Sequence, residues 1–200
     1  EFDLVGCITG VVERDRIISG ETISAGDVGI GLASNGLHTN GYSLARKVLL
    51  EEAGLDLGTQ YPELEGATLA EALLRPHVCY WPVIRTLLDM DDVVIKGMAH
   101  ITGGGFYDNI PRILPDNVDV ICHPEAFSKP PIFEMISKLG NVSRSEMYRV
   151  FNMGIGMIVF VEPSMARKVC DVAYQAGIPA MVMADVVAGN RKVRIAGIDD

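Results

Sequence analysis

The chain is 200 residues long, 48% hydrophobic and 22% charged, with a formal net charge of −9. That mixture supplies a full apolar core and excludes a disordered or fibrous chain. The acidic balance excludes nucleic acid as a main partner, because no surplus of Lys and Arg exists to displace phosphate counterions, yet it leaves room for an anionic small molecule held by amides and single basic residues.

Residues 4–13 are apolar and β-rich, interrupted by Gly6 and Gly10, and predict a first strand. The chain opens at Glu1 without an initiator Met and reaches this strand at once, the pattern of a piece of something longer. A short turn leads to residues 16–18, and Ser19-Gly20 marks another. Residues 28–33 read as a short buried strand. Residues 42–53 carry Leu44, Ala45, Val48 and Leu49 at helical spacing and stop at Gly54. A loop over 56–66 follows. Thr68 with Glu71 is a capping-box pattern opening a short helix to about Leu74, which Pro76 breaks. The next helix spans residues 80–90, with Pro82 tolerated in its first turn.

Residues 93–99 predict a strand that runs into a Gly-rich turn, His100 to Phe106, and then a helix toward Arg112. Residues 118–122 read as strand and 131–139 as a helix ended by Gly140. Ser143 with Glu146 repeats the capping pattern. A third Gly-rich segment, Phe151 to Gly156, leads into a strand over 157–161. A helix over 164–176 stops at Gly177. Two final strands, 180–187 and 192–198, flank Gly189-Asn190 and predict a hairpin. Strands and helices alternate without a strict βαβ rhythm, so the expected fold is α+β: one domain, a mixed β-sheet covered by helices.

Cys7, Cys79, Cys122 and Cys170 are scattered without a C-x-x-C pair, which reads as reduced thiols in a cytoplasmic setting. No apolar run approaches the roughly 20 residues needed to span a bilayer, and no signal peptide opens the chain.

The chemistry concentrates in three Gly-rich segments. In the first, Ser34, Asn35, His38, Thr39 and Asn40 lie between an apolar strand and a helix, punctuated by Gly36 and Gly41. Glycines let backbone approach a ligand, and amides at a helix start favour an anion, so this layout suits a phosphorylated small molecule. In the second, Thr102, Gly103, Gly104 and Gly105 allow successive amides to converge on one oxyanion, although neither a P-loop nor a G-x-G-x-x-G pattern is present. Asp108 and Asn109 follow on the next helical turn. In the third, Asn152 precedes an apolar run, a place for a ligand contact, with Gly154 and Gly156 leaving room for ligand or for backbone packing. His38, flanked by polar residues and Gly, reads as an exposed loop side chain free to serve as hydrogen-bond donor, phosphate partner or acid/base. His100 is a second candidate, whereas His77 and His123 sit in Pro-containing loops as bystanders. Scattered His and Cys form no metal-ligand pattern, and no carboxylate pair or nucleophile elbow stands out.

Taken together, GLASNGLHTNGYSLARKVL, AHITGGGFYDNIPRILP and EMYRVFNMGIGMIVFV resemble the C-terminal half of aminoimidazole ribonucleotide synthetases, with matching order and spacing over nearly the whole chain. The first segment is similar to that family's G-x-H-[ST]-N-G-Y-S motif, with Leu37 and Thr39 in its variable slots. The resemblance implies an ATP-dependent cyclo-ligase of purine synthesis: ATP activates the amide oxygen of formylglycinamidine ribonucleotide, a nitrogen closes the ring, and phosphate leaves. It implies that residues 1–200 are a C-terminal domain, that an N-terminal half binds most of the ATP and Mg²⁺, and that the parent enzyme is a homodimer. It implies His38 as the catalytic residue, with the substrate bound by Ser34, Asn35, Gly36, Thr39, Asn40, Gly41, Thr102, Gly103, Gly104, Gly105 and Asn152. Other enzymes of similar architecture are the alternatives: selenophosphate synthetase, thiamin-monophosphate kinase, the hydrogenase maturation factor and formylglycinamidine ribonucleotide synthetase. From another class, the alternative is a non-catalytic binding or assembly module.

Overall fold

Six strands form one sheet in the order β2-β4-β1-β5-β3-β6. The computed structural model describes residues 6–199. The strands are β1 (Val28–Ala33), β2 (Gly97–His100), β3 (Val118–Cys122), β4 (Ile155–Val161), β5 (Ala180–Ala188) and β6 (Val193–Ile195). All neighbours pair antiparallel except β3 and β6, which run parallel, so the sheet is mixed as expected.

Two apolar layers cover the central strands, one on each face. On one side, Ile30, Leu32, Val159 and Val161 meet Val83, Ile84 and Leu87 of α3 (Trp81–Leu88) and Val169 and Ala173 of α7 (Ala166–Gln175). On the other, Ile158, Phe160, Ala184 and Val186 pack under α1 (Tyr42–Arg46), α2 (Leu69–Leu73), α4 (Gly105–Asn109), α5 (Pro131–Leu139) and α6 (Arg144–Val150). The period-2 alternation of strand side chains sends neighbouring residues such as Val159 and Phe160 to opposite layers. Burial on both faces explains why β4 reads as a continuous apolar run.

Local signals act as expected at the caps. Thr68 Oγ1 accepts from Glu71 N (3.1 Å) while the Glu71 carboxylate accepts from Thr68 N (2.8 Å), and Ser143 Oγ accepts from Glu146 N (3.2 Å). The helix expected over 42–53 is α-helical only to Arg46; from Lys47 to Glu52 it widens to a π-helix, with Ala53 N donating to Val48 O (3.0 Å).

Two strand expectations fail. Of the first predicted strand, residues 4 and 5 lie outside the described residues, and 6–13 pair with nothing in the sheet. Ile8 and Val11 are fully exposed there, so β-prone side chains found no layer to pack against, which is what strand propensity chiefly measures. The final hairpin is also absent, because β3 lies between β5 and β6. Buried Asp119 of β3 explains this: its Oδ1 accepts from Asn190 N (2.7 Å) and Lys192 N (2.8 Å), and its Oδ2 from Arg194 (3.2 Å). Those bonds draw the turn after β5 across β3 and set β6 on its far side.

Candidate active site

Antiparallel pairing places the end of β1 and the end of β2 beside the start of β4: Ala33 faces Ile155, and His100 faces Met157. All three Gly-rich segments therefore emerge at one end of three adjacent strands. Ser34 N donates to Gly154 O (2.8 Å), Ile101 N to Gly156 O (2.9 Å), and Thr102 Oγ1 to Asn40 Oδ1 (2.9 Å). The first two segments thus touch through Asn40 and Thr102, and the first and third through Ser34.

Asn152 is the clamp of this assembly. It is 2% exposed. Its Oδ1 accepts from Ser34 Oγ (2.7 Å) and Gly154 N (2.9 Å), and its Nδ2 donates to Gly36 O (2.9 Å). These bonds commit the side chain to the protein, so the geometry supports positioning of residues 34–36 in place of a ligand contact. Asn109, which the sequence reading left outside the site, plays the same part for the second segment. Its Nδ2 points at the carbonyls of Thr102 (3.3 Å), Gly103 (3.2 Å) and Gly105 (2.7 Å), gathering the turn around one amide. Glycine is required at 105, with φ +57°, because a Cβ there would stand 1.9 Å from Tyr148 O. Asn35 reaches Pro76 O (2.9 Å), Gly41 is the N-cap residue before α1, and Thr39 is exposed.

His38 is not the exposed loop side chain expected from its polar neighbours. It is 4% exposed, adopts φ +57°, and stacks on His77 with ring centroids 3.9 Å apart. The Tyr42 hydroxyl bonds His38 O (3.0 Å) and also contacts Leu73 O. Gly156 permits this burial: a Cβ there would lie 2.0 Å from Tyr80 Oη and 2.7 Å from His38 Cε1. The loop folds inward because β4 leaves a space only glycine provides, a fact no local composition reveals.

The ring's environment opposes charge. Burial, then the neighbouring His77 and His100, push the His38 pKa down to about 4. Burial also lowers His77, and burial with His77 lowers His100. At neutral pH the cluster is uncharged. Val78 N lies 3.5 Å from His38 Nε2. If that nitrogen accepts, the proton sits on Nδ1, which is buried without a partner among the described residues.

His77, read from sequence as a bystander, joins the site through this stack, and His100 lies 5.3 Å from it between ring centroids. Both line an open cleft of about 460 Å³ with Tyr80, Trp81, Met98 and Met157. Its signal in the sequence was only Pro76-His77 before a helix, too general to single out. Among the described residues Asn35 Oδ1 and Asn40 Nδ2 are likewise buried without partners, so unmet hydrogen-bonding capacity clusters in the 35–40 loop. His123 lies apart from the cluster, paired with Asp185 at 2.8 Å. Among the described residues, no helix is long and apolar enough to cross a membrane.

The C-terminal domain of AIR synthase related proteins matches residues 24–197. The phosphoribosylformylglycinamidine cyclo-ligases of Alkaliphilus metalliredigens and Carboxydothermus hydrogenoformans are 44% and 47% identical to this chain. The matches cover 96% and 98% of it and 55% and 56% of the relatives. The chain spans about half the length of the curated relatives it matches. Among solved structures, thiamine-monophosphate kinase from Stenotrophomonas maltophilia aligns with a TM-score of 0.62 at 14% identity, covering 94% of this chain and 56% of that one. HypE of E. coli, a hydrogenase maturation protein, aligns at 0.55 and 20% identity, covering 90% and 49%. These two likenesses are of fold. The sequence match across most of the chain goes further: the chain belongs to the family of AIR synthase related proteins, in their C-terminal domain.

Proposed function

We propose that this chain supplies the substrate-positioning half of a phosphoribosylformylglycinamidine cyclo-ligase. The observation that carries this reading is the 44% and 47% identity to cyclo-ligases over nearly the whole chain, against 14% and 20% to the kinase and the hydrogenase maturation protein. The convergence of the three Gly-rich segments supports it from the geometry. In the proposed reaction, phosphoryl transfer from ATP activates the amide oxygen, and a substrate nitrogen closes the ring as phosphate leaves. Such chemistry depends mostly on positioning and charge neutralisation.

The loops at 34–41 and 102–105 are held together at Asn40 and Thr102, and residues 102–105 present backbone with little side chain in the way. A phosphorylated substrate docks against these backbone surfaces, while Asn152 and Asn109 hold the loops in shape. His38 acts as a neutral ring: its Nδ1 has no protein partner among the described residues, and a substrate oxygen would supply one. ATP and Mg²⁺ enter this reading through the family alone. No residue here is assigned to the metal, since among the described residues no group of three or more His, Cys, Asp or Glu side chains is placed to hold one.

The test joins this chain to the N-terminal half of the Alkaliphilus metalliredigens relative. ADP release is measured with formylglycinamidine ribonucleotide, ATP and Mg²⁺. The joined protein turns over in a substrate-dependent way, His38→Gln lowers its kcat/KM at least about 100-fold, and the 200-residue chain alone is inactive. A joined protein that unfolds cooperatively yet releases no ADP with this substrate refutes the function. Near-parental kinetics for His38→Gln remove His38 from the site.

A further inference from the structure

Residues 74–80 join α2 to α3 in irregular backbone, and among the described residues 75–79 make no backbone–backbone hydrogen bond. Such a segment owes its shape to what it bonds elsewhere. Every hydrogen bond that 75–79 form among the described residues goes to Asn35 or His38. Asn35 Nδ2 donates to Pro76 O (2.9 Å), Arg75 donates back to Asn35 O (3.4 Å), and Val78 N donates to His38 Nε2 at a long 3.5 Å. The flanking residues extend the same attachment. The Tyr80 hydroxyl donates to Ala33 O (2.8 Å), and the Tyr42 hydroxyl contacts Leu73 O. The stretch from Ala33 to Tyr42 is thus held at four points by residues 73–80, which carry none of the Gly-rich motifs.

His38 is the centre of this attachment. Its ring is covered on one face by His77, with centroids 3.9 Å apart and planes 23° from parallel. His77 is exposed whereas His38 is 4% exposed, so His77 is the cover and His38 the covered ring. Among the described residues the His77 ring makes no hydrogen bond, so it acts on His38 through the flat surface that it lays down. The titratable groups against His38 are His77 from this segment, Tyr80 at its end, His100 from β2 and, through the His38 carbonyl, Tyr42 of α1.

We propose that residues 73–80 are a strap that preorganises the 33–42 stretch, with His77 as a positioning residue that acts through His38. The His77 ring and the Val78 amide at Nε2 keep His38 in one orientation with its proton on Nδ1. His77 needs only a flat face for this task. The kinetic consequence rests on the cyclo-ligase reading, whereas the state of the His38 ring does not.

The first measurement needs no substrate. The 200-residue chain is isotope-labelled at histidine, and its ring nitrogens are followed by NMR from about pH 7 to about pH 5. His38 shows one neutral tautomer, protonated on Nδ1, and stays neutral throughout. His77→Ala lets His38 titrate in that window, because burial is the main force holding its pKa near 4, and His77→Phe restores the neutral ring. The second measurement uses the joined protein described above. There His77→Ala lowers kcat at least about 10-fold and changes KM less than about 3-fold, and His77→Phe returns kcat to within about 3-fold of the parent. The proposal is overturned by a wild-type His38 protonated on Nε2 or exchanging between tautomers, or by an alanine variant whose His38 behaves as the parent's. It is also overturned by a phenylalanine variant as slow as the alanine one, which would give the His77 nitrogens a direct part. The wild-type tautomer decides the matter even where His77→Ala fails to fold. A joined protein that releases no ADP refutes the cyclo-ligase reading, and the ring measurements then judge the strap by themselves.

Discussion

Asn152→Ala separates a structural clamp from a ligand contact. The wild-type side chain makes three buried hydrogen bonds, from Ser34 Oγ, from Gly154 N and to Gly36 O, at 2.7, 2.9 and 2.9 Å. At about 1 kcal/mol each, their loss costs roughly 3 kcal/mol, and the stranded Gly154 N–H raises the figure toward 4. In urea, with a slope near 2–3 kcal/mol per M for a chain of this size, the unfolding midpoint falls by about 1–2 M. Asn152→Asp sharpens the test. It keeps the acceptor for Ser34 and Gly154 but sets a carboxylate oxygen against the Gly36 carbonyl. It therefore destabilises strongly at pH 7 and recovers part of the loss at acid pH, where the protonated carboxyl donates again. The assay is equilibrium unfolding followed by tryptophan fluorescence and by circular dichroism, with coincident curves required. Were Asn152→Ala within about 1 kcal/mol of wild type, the clamp argument would be refuted and the side chain returned to the list of substrate contacts.

Two further predictions rest on the same end of the sheet. The unfolded chain protonates position 38 near pH 6.5, but the folded chain resists until about pH 4. The stability held by neutral His38 is therefore complete above pH 6.5 and is lost as the pH falls from 6.5 to 4. The interval corresponds to roughly 3 kcal/mol, reduced to about 1–2 by solvent screening of the cluster. Urea unfolding between pH 4 and 7 should give His38→Gln a profile flatter by that amount, and identical slopes would contradict the assignment. Gly105→Ala drives a Cβ to 1.9 Å from Tyr148 O at φ +57°, whereas Gly54→Ala at φ +62° meets nothing within 4 Å. Thermal unfolding should place the first at least about 3 kcal/mol below wild type and the second near 1; equal effects would show that the close packing at 105 is not what requires glycine.

Local chemistry determined much of this protein directly. The Thr68–Glu71 box, the buried strand Val28–Ala33 and the helix Pro131–Leu139 stand where the sequence places them, because caps and short-range periodicity are written in adjacent residues. The three Gly-rich segments were legible as a set of special turns for the same reason. Their meeting at one end of β1, β2 and β4 was not, because it depends on which strands pair. Only the tertiary structure decided the rest. Asp119 captures amides more than 70 positions away in sequence and so replaces a hairpin with a parallel strand. The apolar segment at 6–13 stays unpaired because strand formation needs a neighbour as well as propensity. His38 is drawn inward by the absence of a side chain at Gly156 and is kept neutral by that burial and then by His77 and His100. A histidine's charge is set by burial and by its neighbours in space, and a polar stretch of sequence carries information about neither.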